Sequence, residues 1–124
     1  MRILMTEEKE GDAYTVGALL AVEGHAVAFC HPHGGAHHPC VGLSAVGRCP
    51  LLTEPVDVVV DVRIDGGPPT AREMGATCAL RHTTPLLIAG SAPDASTLAE
   101  GALFACPPDA VTAACAGLDD GRRA

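Results

Sequence analysis

The sequence predicts an α/β domain, a single three-layer sandwich with a five-stranded parallel sheet as its middle layer. Short apolar runs alternate with helix-like stretches from end to end, as expected when parallel strands are joined by crossover helices. The run Val58-Val59-Val60 is continuous and β-branched, which suits a central strand covered on both faces. A chain of 124 residues has room for one core rather than two.

The first strand is expected over residues 2–5. Gly11-Asp12 offers the next helix start, with Val16, Leu19 and Leu20 on one face and Gly24 as its stop. A second strand follows at 26–30 and the central one at 57–62, ending in Arg63-Ile64-Asp65-Gly66-Gly67. Thr70-Ala71-Arg72-Glu73 fits a capping box opening a helix to about Arg81, since the Thr hydroxyl and the Glu carboxylate each satisfy an unpaired N–H there. Residues 85–89 read as the fourth strand, 94–100 as a short helix, 102–105 as the fifth strand, and 109–116 as a last helix stopped by Gly117. The domain then occupies 1–118, and 119–124 form a frayed tail. The second crossover breaks the pattern. Over residues 31–56 prolines, glycines, histidines and cysteines largely replace the helix, leaving a loop with a helical turn near 41–46.

Composition narrows the function. Eight basic against fifteen acidic side chains give a net charge of −7, which argues against binding nucleic acid or an anionic membrane surface. Aromatic content of 2% leaves no platform for stacking bases. No apolar run approaches a membrane span, and the N-terminus is too short in its apolar part and too acidic behind it for a secretory leader, so a cytoplasmic protein is expected. The six cysteines then read as reduced thiols, with Cys78 and Cys115 as small buried hydrophobes in helices. Lys9 is the one lysine, and a chain rich in Ala, Gly, Pro and Arg suggests a GC-rich bacterial genome. The glycine-rich dinucleotide fingerprint, the P-loop and the Gly-x-Ser-x-Gly elbow are all missing.

Acidic and polar residues gather where the strands end. Glu7 and Glu8 follow the first strand, Asp61 sits at the end of the third, Ser91 follows the fourth and Cys106 the fifth. A five-unit βα chain of this length resembles the flavodoxin-like superfold, which implies a sheet order of 2-1-3-4-5, and the constellation at its strand ends resembles a response-regulator receiver domain. The resemblance implies that Glu7 and Glu8 hold magnesium, that Asp61 accepts a phosphoryl group and that Ser91 supplies a hydroxyl. Cys106 stands where the receiver pattern has a lysine, and a thiol cannot neutralise an arriving phosphoryl group as an ammonium does. From the residues alone, Asp61 either reaches the crevice, where with Glu7 and Glu8 it could bind a divalent cation, or pairs with Arg63 or caps the following turn. Cys106 is either a nucleophile activated by a helix N-terminus or a thiol filling a strand end.

The other chemical constellation lies in the loop. His31, His33, His37, His38, Cys40 and Cys49 are imidazole and thiolate donors suited to zinc, nickel or copper, but no paired Cys-x-x-Cys or His-x-x-x-His unit fixes a tetrahedral site. The same residues also suit a solvated loop, and Cys40 and Cys49 could pair as a disulfide. The resulting expectation is a regulatory or interaction module without turnover, whose partner is another protein or a second copy. A transition-metal-binding protein using residues 30–49 and a divalent-cation-dependent phosphotransfer enzyme are the alternatives.

Overall fold

The valine-rich run lies in the middle of a five-stranded sheet. In the computed structural model, which describes residues 1–30, 49–93 and 96–123, the strands are β1 (Arg2–Glu7), β2 (Ala26–Phe29), β3 (Val58–Arg63), β4 (Leu86–Gly90) and β5 (Phe104–Cys106). All neighbours are parallel and the order is β2-β1-β3-β4-β5, the flavodoxin-like topology that the sequence predicts. Glu7 stands opposite Val62, Thr6 opposite Asp61, and Arg63 opposite Gly90.

Successive strand residues face opposite ways, so the sheet has two cores. On one face Ile3, Met5, Val58, Val60, Val62 and Leu87 pack with α1 (Tyr14–Val22) and α5 (Val111–Arg123) through Val16, Leu20, Val111 and Cys115. On the other, Leu4, Val59, Leu86 and Ile88 meet α3 (Met74–Arg81) and α4 (Thr97–Gly101) through Ala76, Ala79 and Leu98. Each fully buried aliphatic side chain contributes about 1.5–3 kcal/mol relative to exposure, which makes this aliphatic core the main stabilising term. The second face also carries Thr6 from β1, Glu8 directly after it, and Asp61 and Arg63 from β3, and all four are buried.

The differences from expectation lie at element ends. β1 runs two residues longer than read, so Glu7 belongs to the strand and Glu8 follows it directly. β5 begins at Phe104, because the N–H of Ala102 still bonds the Leu98 carbonyl of α4. Gly117 does not stop the last helix. It keeps φ outside the left-handed region, and Leu118 extends the apolar stripe of Val111, Ala114 and Cys115, so α5 takes in residues read as a frayed tail. The capping box is present: a 3₁₀ turn over Ala71–Glu73 opens α3, and Thr70 and Glu73 exchange their bonds. Between β2 and β3 the described helical turn is α2 (Pro50–Thr53), and the turn expected near 41–46 lies outside the described residues. Gly90, at φ +124°, admits no side chain, since a Cβ there would sit 2.0 Å from the Arg63 carbonyl oxygen. Among the described residues, no helix is long and apolar enough to cross a membrane.

Candidate functional site

The two glutamates at the end of β1 point to opposite faces, and each closes a different turn. Glu7 accepts from the backbone N–H groups of Gly11 at 3.1 Å and Ala13 at 3.0 Å, tying the entry of α1 back to the strand. Arg72 adds Nη2 at 2.9 Å and Nε at 3.3 Å to the same carboxylate. Glu8 accepts from the N–H groups of Asp65 at 2.9 Å, Gly66 at 3.1 Å and Gly67 at 2.6 Å, in the turn after β3. The Glu8 carbonyl in turn receives the Thr70 hydroxyl at 2.7 Å.

Arg63 is the hub beneath them. Its side chain is fully buried, with Nε donating to Glu73 Oε2 at 2.9 Å and Nη2 to Glu8 Oε2 at 3.2 Å. The remaining donors reach the carbonyls of Ser91, at 3.2 Å, and Gly67. Glu73 is fixed from its other oxygen by the Thr70 N–H at 2.8 Å. One guanidinium thus joins β1, β3, the start of α3 and the end of β4. A planar fork of five donors suits that task as a point charge does not.

Asp61 lies on the same face, two residues before Arg63, and is also fully buried. Its Oδ1 accepts the Thr6 hydroxyl at 2.7 Å, whereas Oδ2 has no donor among the described residues. Burial first, and then hydrogen bonding and charge from neighbouring Glu73, push its pKa from 3.8 to about 9, against the opposing pull of Thr6 and Arg63. The orphaned oxygen and the raised pKa agree in favouring the protonated form of Asp61, whose proton would make that oxygen a donor toward neighbouring Glu73.

Ser91 and Cys106 sit elsewhere at the same edge. With Arg63, Ile64, Gly90, Pro107 and Pro108 they line an open cavity of about 510 Å³ beyond β3, β4 and β5. Burial, and then the charge of Asp109, push the Cys106 thiol up, which makes it a poorer nucleophile than an ordinary cysteine. The five sequence-derived residues therefore divide. Ser91 and Cys106 face the cavity, while Glu7, Glu8 and Asp61 are buried and do not line it. Arg63 and Glu73 organise the interior; in the sequence Arg63 reads as a strand end and a candidate partner of Asp61, and Glu73 as a helix cap, whereas the ion pairs of Arg63 are with Glu8 and Glu73.

This donor chemistry fits magnesium poorly. A cation would have to displace backbone N–H groups and a guanidinium from Glu7 or Glu8, and a neutral Asp61 offers no charge. His31, His33, His37, His38 and Cys40 lie outside the described residues, while Cys49 is a half-buried free thiol at the entry to α2. Among the described residues, no group of three or more His, Cys, Asp or Glu side chains is placed to hold a metal ion. No protein-family model matches the chain, and no curated protein matches its sequence. Its sheet has the flavodoxin-like strand order.

Proposed function

We propose that the protein is a cytoplasmic, non-catalytic regulatory or interaction module on a receiver-like frame, with its strand-end carboxylates serving structure. The observation that carries this reading is the commitment of those groups. Both oxygens of Glu8 accept bonds from within the chain, Glu7 is held by two N–H groups and an arginine, and burial keeps Asp61 protonated. A phosphoacceptor must be an ionised, accessible carboxylate beside a cation, and Asp61 is neither ionised nor accessible.

Incubation with magnesium and a small phosphodonor, followed by intact-mass measurement, tests the reading. No phosphoryl adduct is expected on the wild type or on Asp61→Asn. A magnesium-dependent adduct that disappears in Asp61→Asn would sink it. The surface offered to a partner is the open edge of the sheet at β5, where Leu103 and Phe104 are exposed, together with Ile64 at the mouth of the neighbouring cavity. In the simplest form the partner is a second copy, and light scattering over a wide concentration range should then show a dimer. A monomer throughout leaves the partner as a different protein.

A further inference from the structure

We propose that the turn after β3 is an oxyanion-binding nest, which this chain keeps filled with its own Glu8 carboxylate. Three consecutive N–H groups, those of Asp65, Gly66 and Gly67, converge on that carboxylate at 2.9, 3.1 and 2.6 Å. Nη2 of the buried Arg63 supplies a fourth contact at 3.2 Å. Successive N–H groups aimed at one centre form an anion-binding concavity, and the guanidinium selects carboxylate or phosphate over neutral groups.

The local sequence builds the nest. Gly66 adopts φ +74°, the left-handed conformation that turns its N–H inward beside that of Asp65. Gly67 leaves room for the ligand, since a Cβ there would lie 3.3 Å from Glu8 Oε2. Pro68 and Pro69 have no N–H, and the next donor, that of Thr70, is committed to Glu73. The four donors therefore make a self-contained set for one small oxyanion. Gly66 and Gly67 of the nest, with Pro68, Pro69 and Pro93, also line a cavity of about 310 Å³.

Glu8 holds the site because it is tethered. A group fixed in place by its own strand competes at an effective concentration that free ions do not reach. Solution phosphate or acetate is therefore excluded from the wild-type nest and enters when the Glu8 carboxylate is removed. The inference stands apart from the functional reading above, since the nest exists whether or not the module catalyses a reaction.

The test uses the full chain as wild type, Glu8→Ala and Glu8→Gln. Thermal unfolding and calorimetric titration are followed with sodium acetate and with inorganic phosphate, against sodium chloride at matched ionic strength. Glu8→Ala should melt below the wild type and recover by roughly 5 °C or more in acetate or phosphate but not in chloride. The better anion identifies the geometry of the nest, planar carboxylate or tetrahedral phosphate. Glu8→Gln, which keeps the space filled, should show no saturable response, and neither should the wild type. A folded Glu8→Ala that responds to neither anion beyond chloride overturns the proposal. If Glu8→Ala is unfolded in chloride, refolding in either anion supports it and failure to refold overturns it. A wild type that responds as strongly as the variant shows a general salt effect rather than filling of the nest, and overturns the proposal.

Discussion

Replacing Arg63 with methionine should destabilise the protein by on the order of 3–5 kcal/mol, which approaches the whole stability of a small domain. Methionine refills the volume of the aliphatic stem, so the loss is electrostatic. Glu8 and Glu73, both buried, would face each other without the cation between them, and the Ser91 and Gly67 carbonyls would lose their donor. Removing one partner of a buried pair leaves an uncompensated charge, which is costlier than removing the whole network. Urea unfolding at pH 7 should therefore show Arg63→Met far below the wild type, with the triple variant Arg63→Met, Glu8→Gln, Glu73→Gln partly recovered. Arg63→Lys should fall between, because one ammonium does not span Glu8, Glu73 and two carbonyls at once. A midpoint for Arg63→Met equal to that of the wild type would contradict the network as described.

Asp61→Asn is expected to stabilise the fold at neutral and alkaline pH, the reverse of the usual result for a buried polar substitution. In the folded state the Asp61 pKa is raised from 3.8 to about 9. The folded protein thus holds a proton that the unfolded chain gives up above about pH 4. The contribution of Asp61 to stability is fully present below its unfolded pKa, declines as pH rises, and is exhausted once pH passes the folded value near 9. Asparagine keeps the geometry without the titration: its oxygen accepts from Thr6 and its amide donates to Glu73. The gain at pH 7 should be on the order of 2–4 kcal/mol and should vanish near pH 4. Denaturant midpoints at pH 5, 7 and 9 measure it. An asparagine variant that is less stable than the wild type at pH 9 would refute the neutral acid.

The succession of strands and helices was legible because strand and crossover signals are local and each strand carries its own apolar run, whereas the order of the sheet followed from the resemblance to the flavodoxin-like superfold. Thr70 and Glu73 could be read as a helix start for the same reason, since the capping box spans four residues. The interior network was not legible. Arg63 meets Glu8 across 55 positions, and Arg72 meets Glu7 across 65, so no window of sequence contains both partners. Asp61 shows where a local reading stops. Its valine neighbours pose the choice between reaching the crevice and bearing a burial cost, but the side chains that settle it, Thr6 and Glu73, come from two other elements. Glu8 lies where a cation ligand is expected, and only the fold brings the three N–H groups to it.

The alternation along β3 has a consequence for uniqueness as distinct from stability. A strand of valines alone would pair with β1 and β4 almost equally well if it slipped by one residue, because valine suits either face. In Val58-Val59-Val60-Asp61-Val62-Arg63 such a slip would carry Asp61 and Arg63 among Met5, Leu87 and Val111, away from Thr6, Glu8 and Glu73. The misaligned sheet would bury an acid and a guanidinium with none of their partners, a penalty that the aliphatic contacts cannot offset. The two polar residues therefore act as an alignment key, selecting one of several hydrophobically equivalent pairings.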